Sequence, residues 1–209
     1  MSRCVIIGAG PFRDPVVLAG QLLPDDYVMV ADGGWQLASE MGVKPAVLVA
    51  DFDSMPSKTV PDEVKVITLP IEKDMTDTAK ALEIGFDMGF REFLLLGCTG
   101  GRLDHFQATL TVAAEYARKE CEVTIVDEQN EIRLLMPGSY VFPVCAGEKV
   151  SLFAFGAEVT GLFVDGLKYE VSDFTLSPFD PLCVSNESLG EDASISFKEG
   201  LLQLYFSRD

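Results

Sequence analysis

Phe93-Leu94-Leu95-Leu96 runs directly into Gly97-Cys98-Thr99-Gly100-Gly101-Arg102, and beyond it Leu103, Phe106, Leu110, Ala113 and Ala117 recur at three- and four-residue intervals. The first four residues are an unbroken apolar run of strand length, and the later spacing is one face of an amphipathic helix. Strand, glycine turn and helix in direct succession form the unit from which parallel α/β sheets are built. The same order recurs on either side. Toward the N-terminus, Cys4-Val5-Ile6-Ile7 ends at Gly8-Ala9-Gly10, and Asp14-Pro15 then reads as an N-cap with proline at the first helical position. Tyr27-Val28-Met29-Val30-Ala31 predicts a second strand, broken by Asp32-Gly33-Gly34, and a short helix over 35–41 is closed by Gly42. Further strands are predicted over 46–49 and 64–69. A helix follows between Asp74 and Gly89, with Ala79, Leu82 and Phe86 on one face and Asp74 or Thr76 as its cap. Residues 123–126 close the series as a sixth strand. The expected fold is an α/β domain with a mostly parallel sheet, covered on both faces.

Beyond about residue 130 the helical period disappears. Short alternating segments take over, at 140–144, 149–154, 162–165, 183–185, 193–197 and 201–206, punctuated by Pro137-Gly138, Gly147, Gly156, Gly161, Gly166 and Gly200. This pattern predicts a separate antiparallel β-sandwich. Two domains are therefore expected, 1–130 and 131–209, with no internal repeat and no low-complexity linker between them.

The 209 residues carry a net charge of -17, with 48% hydrophobic and 23% charged residues, the composition of a globular protein. Such an acidic chain is a poor partner for nucleic acid, whose phosphates require clustered Lys and Arg. The five cysteines, at positions 4, 98, 121, 145 and 183, are odd in number and widely scattered, which fits reduced thiols in a cytoplasmic protein better than a disulfide or zinc framework. The first apolar run is too short for a signal peptide, and no stretch reaches the length of a membrane span.

Four polar clusters follow predicted strands: Asp32-Gly33-Gly34, Asp51-Phe52-Asp53, Asp74-Met75-Thr76-Asp77 and Gly100-Gly101-Arg102-Leu103-Asp104. A parallel sheet gathers the carboxyl ends of its strands along one edge, where ligands of open α/β sheets bind. Extended backbone after the third strand points Asp51 and Asp53 the same way. Carboxylates about 5 Å apart repel by roughly 3 kcal/mol at an effective dielectric of 20, so their convergence favours a bound cation, and a hard one such as magnesium prefers oxygen ligands. The glycine pairs 33–34 and 100–101 allow close backbone approach to an anion at a helix start. Arg102 offers a bidentate contact to phosphate, and Lys73 a point charge. His105 is the only histidine, which leaves little material for a Ser-His-Asp or multi-histidine site, and it reads as a structural or phosphate-adjacent group.

Taken together and in order, Ala31-Asp32-Gly33-Gly34, Asp51-Phe52-Asp53-Ser54, Asp74-Met75-Thr76-Asp77, Gly101-Arg102-Leu103-Asp104-His105 and Ser185-Asn186-Glu187 resemble the thiamine pyrophosphokinase family. The resemblance implies a homodimeric two-domain enzyme that transfers the pyrophosphoryl group of ATP to the hydroxyethyl oxygen of thiamine, releasing AMP. It implies that Asp51, Asp53 and Asp77 hold magnesium and phosphate, and that Asp32, Arg102 and Asp104 make nucleotide or catalytic contacts. It also implies that Ser185 and Asn186 lie near thiamine, in a site completed by the partner chain. Asp104 and Asp77 are the two candidates for accepting the alcohol proton. Tyr169 or a phenylalanine of the β domain is expected to cover a thiamine ring.

Two residues depart from the family pattern. Ala50 stands where glycine is usual, so an adjustment of the backbone is expected there, and Thr109 replaces a usual asparagine, so no role is carried onto it. Three rival readings are a pyrophosphokinase for another alcohol such as a hydroxymethylpterin, a magnesium-dependent phosphohydrolase, and a nucleotide-sensing module without turnover.

Overall fold

A computed structural model describes residues 2–51, 60–61, 63–70, 74–190 and 192–208. The chain divides into two compact units, Met1–Glu128 and Gln129–Asp209.

The first unit contains, in chain order, β1 (Cys4–Ile7), α1 (Pro15–Ala19), β2 (Tyr27–Ala31), α2 (Gly34–Glu40), β3 (Val47–Ala50), β4 (Lys65–Thr68), α3 (Asp77–Asp87), β5 (Glu92–Leu96), α4 (Leu103–Ala117) and β6 (Glu122–Val126). Its strands lie in the order β6-β5-β1-β2-β3-β4, and each neighbouring pair is parallel. Alternation along the strands sends Val5 and Ile7, with Val28, Val30, Leu48, Leu94 and Leu96, into one buried cluster with Leu18 of α1 and Leu37 and Ala38 of α2. On the opposite face Gly85 of α3 packs against Cys4 and Phe93, and Phe93 meets Tyr116 of α4. Both faces of the sheet are thus covered, as a parallel sheet requires.

Helix starts follow the sequence closely. Asp14 Oδ1 accepts a hydrogen bond from the Val16 amide at 2.9 Å, with Pro15 at the first helical position. Of the two candidate caps for α3 it is Thr76 that caps, its Oγ1 accepting from the Ala79 amide at 3.2 Å. Ala50 ends β3 in register with Thr68, and its side chain lies in the buried cluster, so a methyl group is accommodated there without loss of strand pairing. Leu103 departs from expectation. It opens α4 at 75% exposure, and the buried stripe of that helix begins at Thr109 and Leu110, because the first turn stands past the strand ends.

In the second unit, β7 (Asn130–Leu135), β9 (Lys149–Ala154), β12 (Asn186–Glu187) and β14 (Leu202–Ser207) pair antiparallel in the order β12-β9-β14-β7. The strands β8 (Gly138–Phe142), β10 (Val159–Asp165), β11 (Val171–Leu176) and β13 (Ala193–Phe197) pair antiparallel in the order β11-β10-β13-β8. Val150, Leu152, Leu202 and Leu204 from the first set share one core with Leu162, Leu176, Ile195 and Phe197 from the second, which makes this unit a sandwich. Two strands, β7 and β11, were not expected, and the strand expected over 183–185 is instead a turn leading into β12.

Candidate active site

The strand order of the first unit reverses between β1 and β5. After β1 the chain adds β2, β3 and β4 on one side, then returns to place β5 and β6 on the other. At such a switch point the loops leaving the two adjacent strands diverge and open a crevice at their carboxyl ends. A cleft of about 390 Å³ lies there, walled by Ala9 to Pro11 after β1, Asp32 after β2, Thr76 to Thr78 at the start of α3, and Gly97 to Arg102 after β5.

Close backbone packing sets the cleft floor. The Gly8 amide donates to Leu96 O at 2.8 Å and the Gly10 amide to Gly97 O at 2.6 Å. A Cβ at Gly10 would lie 2.5 Å from Thr99 O, so only glycine permits this seam between the two loops. Gly100 and Gly101 have φ of 72° and 61°, the left-handed region, and they turn the chain into α4. Arg102 caps that helix without a side-chain hydrogen bond to it, which leaves the helix start as an anion-binding end at the cleft rim.

Asp32 is buried and has φ of 39°, a left-handed conformation that costs a non-glycine residue about 1–3 kcal/mol and marks functional positions. Its backbone is fixed from both sides, the amide donating to Val49 O at 2.8 Å and the carbonyl accepting from the Trp35 amide at 3.1 Å. Asp77 enters the cleft as the first residue of α3. Arg102 is engaged with Asp104 at the rim, Nη2 to Oδ2 at 2.6 Å and Nε to Oδ1 at 3.2 Å. Those hydrogen bonds hold the Asp104 carboxyl below the usual carboxylate range.

The clusters expected to converge do so in part. Asp32, Thr76, Asp77, Gly101, Arg102 and His105 line one cleft. Asp51 stands one residue past β3, half-buried and not in the cleft lining, and Asp74 is exposed on the bend before α3. Gly33 and Gly34 lie outside the lining, and Gly34 serves instead to seat α2 against β1. Asp53 and Lys73 lie outside the described residues.

Sequence reasoning missed Ala9, Gly10, Thr99 and Thr109 as cleft residues. Thr109 is buried, and its Oγ1 donates to His105 O at 3.0 Å. Cys98 also lines the cleft, and burial pushes its thiol up to about 12.

Among the described residues no three His, Cys, Asp or Glu side chains form a ready metal cluster. The donor set nevertheless suits magnesium arriving with phosphate, which uses one or two protein carboxylates and fills its other positions from phosphate and water. Asp32 and Asp77 supply oxygen donors of that kind in the cleft.

In the second unit, Ser185 takes φ of 56° and its amide donates to Ser151 Oγ at 2.9 Å. Asn186 is buried and its amide group is committed to backbone. Oδ1 accepts from the Tyr169 and Glu187 amides at 3.0 and 2.9 Å, and Nδ2 donates to Tyr169 O at 2.7 Å. Asn186 therefore fixes the backbone that presents the exposed Tyr169 ring.

Comparison with known proteins agrees across both units. Residues 21–125 match the thiamin pyrophosphokinase catalytic domain, and residues 137–202 match the thiamin pyrophosphokinase vitamin B1 binding domain. The chain is 26% identical to thiamine pyrophosphokinase of Bacillus subtilis (strain 168), with all of both chains covered. The crystal structure of thiamin pyrophosphokinase from Geobacillus thermodenitrificans is similar at a TM-score of 0.86 and 30% identity, covering 100% of this chain and 98% of that one. The yeast thiamin pyrophosphokinase structure shares the fold at a TM-score of 0.79 and 17% identity, covering 99% of this chain and 86% of that one. With the catalytic match alone extending over half its length, the chain belongs to the thiamin pyrophosphokinase family.

Proposed function

We propose that this chain transfers the β,γ-pyrophosphoryl group of ATP to the hydroxyethyl oxygen of thiamine, giving thiamine diphosphate and AMP. The observation that carries this reading is the pairing, in one chain, of a catalytic-domain match over 21–125 with a vitamin B1 binding match over 137–202. The second match favours thiamine over a pterin alcohol as the acceptor.

In this reading the polyphosphate of ATP enters the cleft at the β1–β5 switch point. Gly100, Gly101 and the start of α4 face its oxygens. Asp32 and Asp77 in the cleft, together with Asp51 and Asp53 as the family resemblance implies, would hold magnesium, which would neutralise charge on the phosphate oxygens. Arg102 is drawn from Asp104 to the phosphate, where its planar fork stabilises charge as the β-phosphorus is attacked. That exchange leaves the Asp104 carboxylate without its strongest hydrogen-bond donor and makes it a better proton acceptor for the attacking alcohol. Asp77, committed to the metal, is the poorer base. Ser185 and the Asn186-held Tyr169 form the thiamine side of the site, with the Tyr169 ring against the cationic thiazolium.

The enzyme is proposed to act in the cytoplasm as a homodimer whose active sites combine the first unit of one chain with the second unit of its partner. Scattered cysteines without a disulfide support that location, and no helix among the described residues is long and apolar enough to cross a membrane. Phe179, Leu182 and Leu189 of the second unit are exposed at 63% or more, apolar surface of the kind a subunit contact covers. Sedimentation of the purified protein as a monomer at working concentration would remove the shared site.

The function is tested by incubating the protein with ATP, magnesium and thiamine. Equal amounts of AMP and thiamine diphosphate are expected, neither forming without thiamine. Orthophosphate release without an acceptor, or ATP binding without AMP, would replace the proposal by a phosphohydrolase or a sensor.

A further inference from the structure

Beyond the cleft itself, two adjacent carboxylates just past β6 hold two of the loops that wall it, those after β1 and β5. Glu128 Oε1 accepts from the backbone amide of Arg13 and from that of Asp14, the latter at 2.6 Å. Those amides end the loop that carries Ala9, Gly10 and Pro11 into the cleft, and Asp14 then caps α1. One residue earlier, Asp127 Oδ2 accepts from Thr99 Oγ1 at 2.7 Å, and Thr99 sits in the opposite wall beside Gly100 and Gly101. Neither Asp127 nor Glu128 lines the cleft.

The two loops otherwise meet through the backbone seam at Gly8, Gly10 and Gly97. That seam fixes their inner ends against the strands. Further out Pro11 stands beside Gly100 and Gly101, and the hydrogen bonds to Glu128 and Asp127 add one side-chain anchor to each loop. β6 is next to β5 in the sheet, and Asp127 and Glu128 follow its last residue, Val126, directly. These neighbouring acceptors take one loop each. Charge-assisted bonds from carboxylates to backbone amides are stronger than neutral ones and fix loop geometry closely.

We propose that Asp127 and Glu128 are positioning residues for nucleotide binding: they set the separation of the Gly8–Asp14 and Gly97–Arg102 loops, and so the width of the phosphate cleft, without touching ATP. The inference rests on the reading of this cleft as the ATP site. It assigns the acidic pair a role that the strand-end clusters do not include.

The test uses the full-length protein with Glu128→Ala, Glu128→Gln and Thr99→Val. Each is followed by steady-state kinetics in ATP and in thiamine, by calorimetric binding of α,β-methylene-ATP with magnesium, and by thermal melting. Glu128→Ala is expected to raise KM for ATP and weaken analogue binding by about tenfold, the scale of one hydrogen bond to a charged acceptor. The kcat and KM for thiamine should stay within about twofold of wild type on this account. Glu128→Gln, which keeps an acceptor oxygen of the same reach, should recover most of the loss. Thr99→Val should weaken ATP in the same sense through the other loop. Should Glu128→Ala melt early, the isosteric Glu128→Gln and Thr99→Val decide, together with faster hydrogen exchange at the Arg13 and Asp14 amides. Unchanged ATP parameters in Glu128→Ala and Thr99→Val overturn the proposal, as does a loss in kcat with no change in KM. A wild-type protein that fails to bind the analogue overturns the reading of the cleft together with the proposal, whereas normal wild-type binding with indifferent variants overturns the proposal alone.

Discussion

Gly34→Ala separates a packing role from a ligand role at the glycine pair after β2. A Cβ at Gly34 would lie 2.2 Å from the Ile7 carbonyl oxygen and 2.9 Å from both the Ile7 carbonyl carbon and the Gly8 oxygen. All three are backbone atoms of β1 and its exit, in the middle of the sheet, so no side-chain rotation relieves the clash. Reaching ordinary contact needs α2 to withdraw by roughly 1 Å, an overpacking change of the kind that costs about 1–3 kcal/mol. Alanine's better helix propensity opposes this by about 1 kcal/mol at most, so the steric term wins. With a backbone obstacle the upper part of that range applies, and a net loss near 2 kcal/mol lowers the melting temperature of a chain this long by roughly 4–8 °C. Gly33→Ala is the control. Gly33 has helical φ and ψ of -58° and -10°, and its Cβ would press on the Ala9 methyl alone, at 3.0 Å, so its melting temperature should fall by clearly less than that of Gly34→Ala. Thermal melting by circular dichroism, with and without ATP and magnesium, reads both variants. A Gly34→Ala protein that melts with wild type yet shows a raised KM for ATP would refute the packing argument and restore the pair as a phosphate cradle.

Three further outcomes are expected. Asn186→Ala and Asn186→Asp should both lose about 1–3 kcal/mol of stability in denaturant titration, since alanine abandons both Tyr169 backbone groups and aspartate turns an acceptor toward Tyr169 O; a neutral Asn186→Asp would show that the Nδ2 contact is not made. The Asp104 carboxyl, followed by carbon-detected NMR, should titrate below the ordinary aspartate range and return toward it in Arg102→Ala. Because the folded pKa is the lower one, the pair's stabilising effect is present above the unfolded pKa and fades as pH falls through the folded value; an unmoved titration in Arg102→Ala would dissolve the pair. In native protein near neutral pH a thiol reagent should modify exposed Cys145 first, with Cys4 and Cys98, both pushed up to about 12 by burial, slowest in a peptide map. Cys98 labelling at the rate of Cys145 would mean that the cleft wall opens.

Local signals carried the fold where they acted alone. Asp14-Pro15 announced α1 because a cap and a proline need no tertiary partner, and the apolar runs announced β1, β2, β3, β5 and β6 because those strands are largely buried, whereas β4 is a mostly exposed edge strand announced by its β-branched residues. The signal failed where exposure breaks alternation. β11 is an edge strand with Ser172, Asp173 and Thr175 open to solvent, and Asp173 has φ of 48°. In β7 the charged pair Glu131 and Arg133 hides the alternating Ile132 and Leu134. Val184 suggested a strand over 183–185, but Ser185 turns into the left-handed region and pairing starts only at Asn186. In the site, the acidic and glycine clusters were legible as strand-end chemistry. The β1 loop was not, because its place in the cleft depends on β5 returning to the side of β1, a long-range choice that no local pattern encodes.

That long-range choice also explains why glycine pairs that look alike in sequence act differently. Gly33-Gly34 follows β2, which lies inside the sheet away from the reversal, so the helix leaving it must fold back tightly over β1, and backbone atoms crowd the second glycine. Gly100-Gly101 follows β5, at the reversal itself, and lines the cleft opposite the β1 loop. A Cβ at Gly100 or Gly101 would meet only the Pro11 ring, at 3.0 and 3.4 Å, and it is the left-handed backbone rather than crowding that requires glycine there. Of the two pairs only the second lines the cleft, and Asp32, just ahead of the first pair, reaches it from a left-handed backbone.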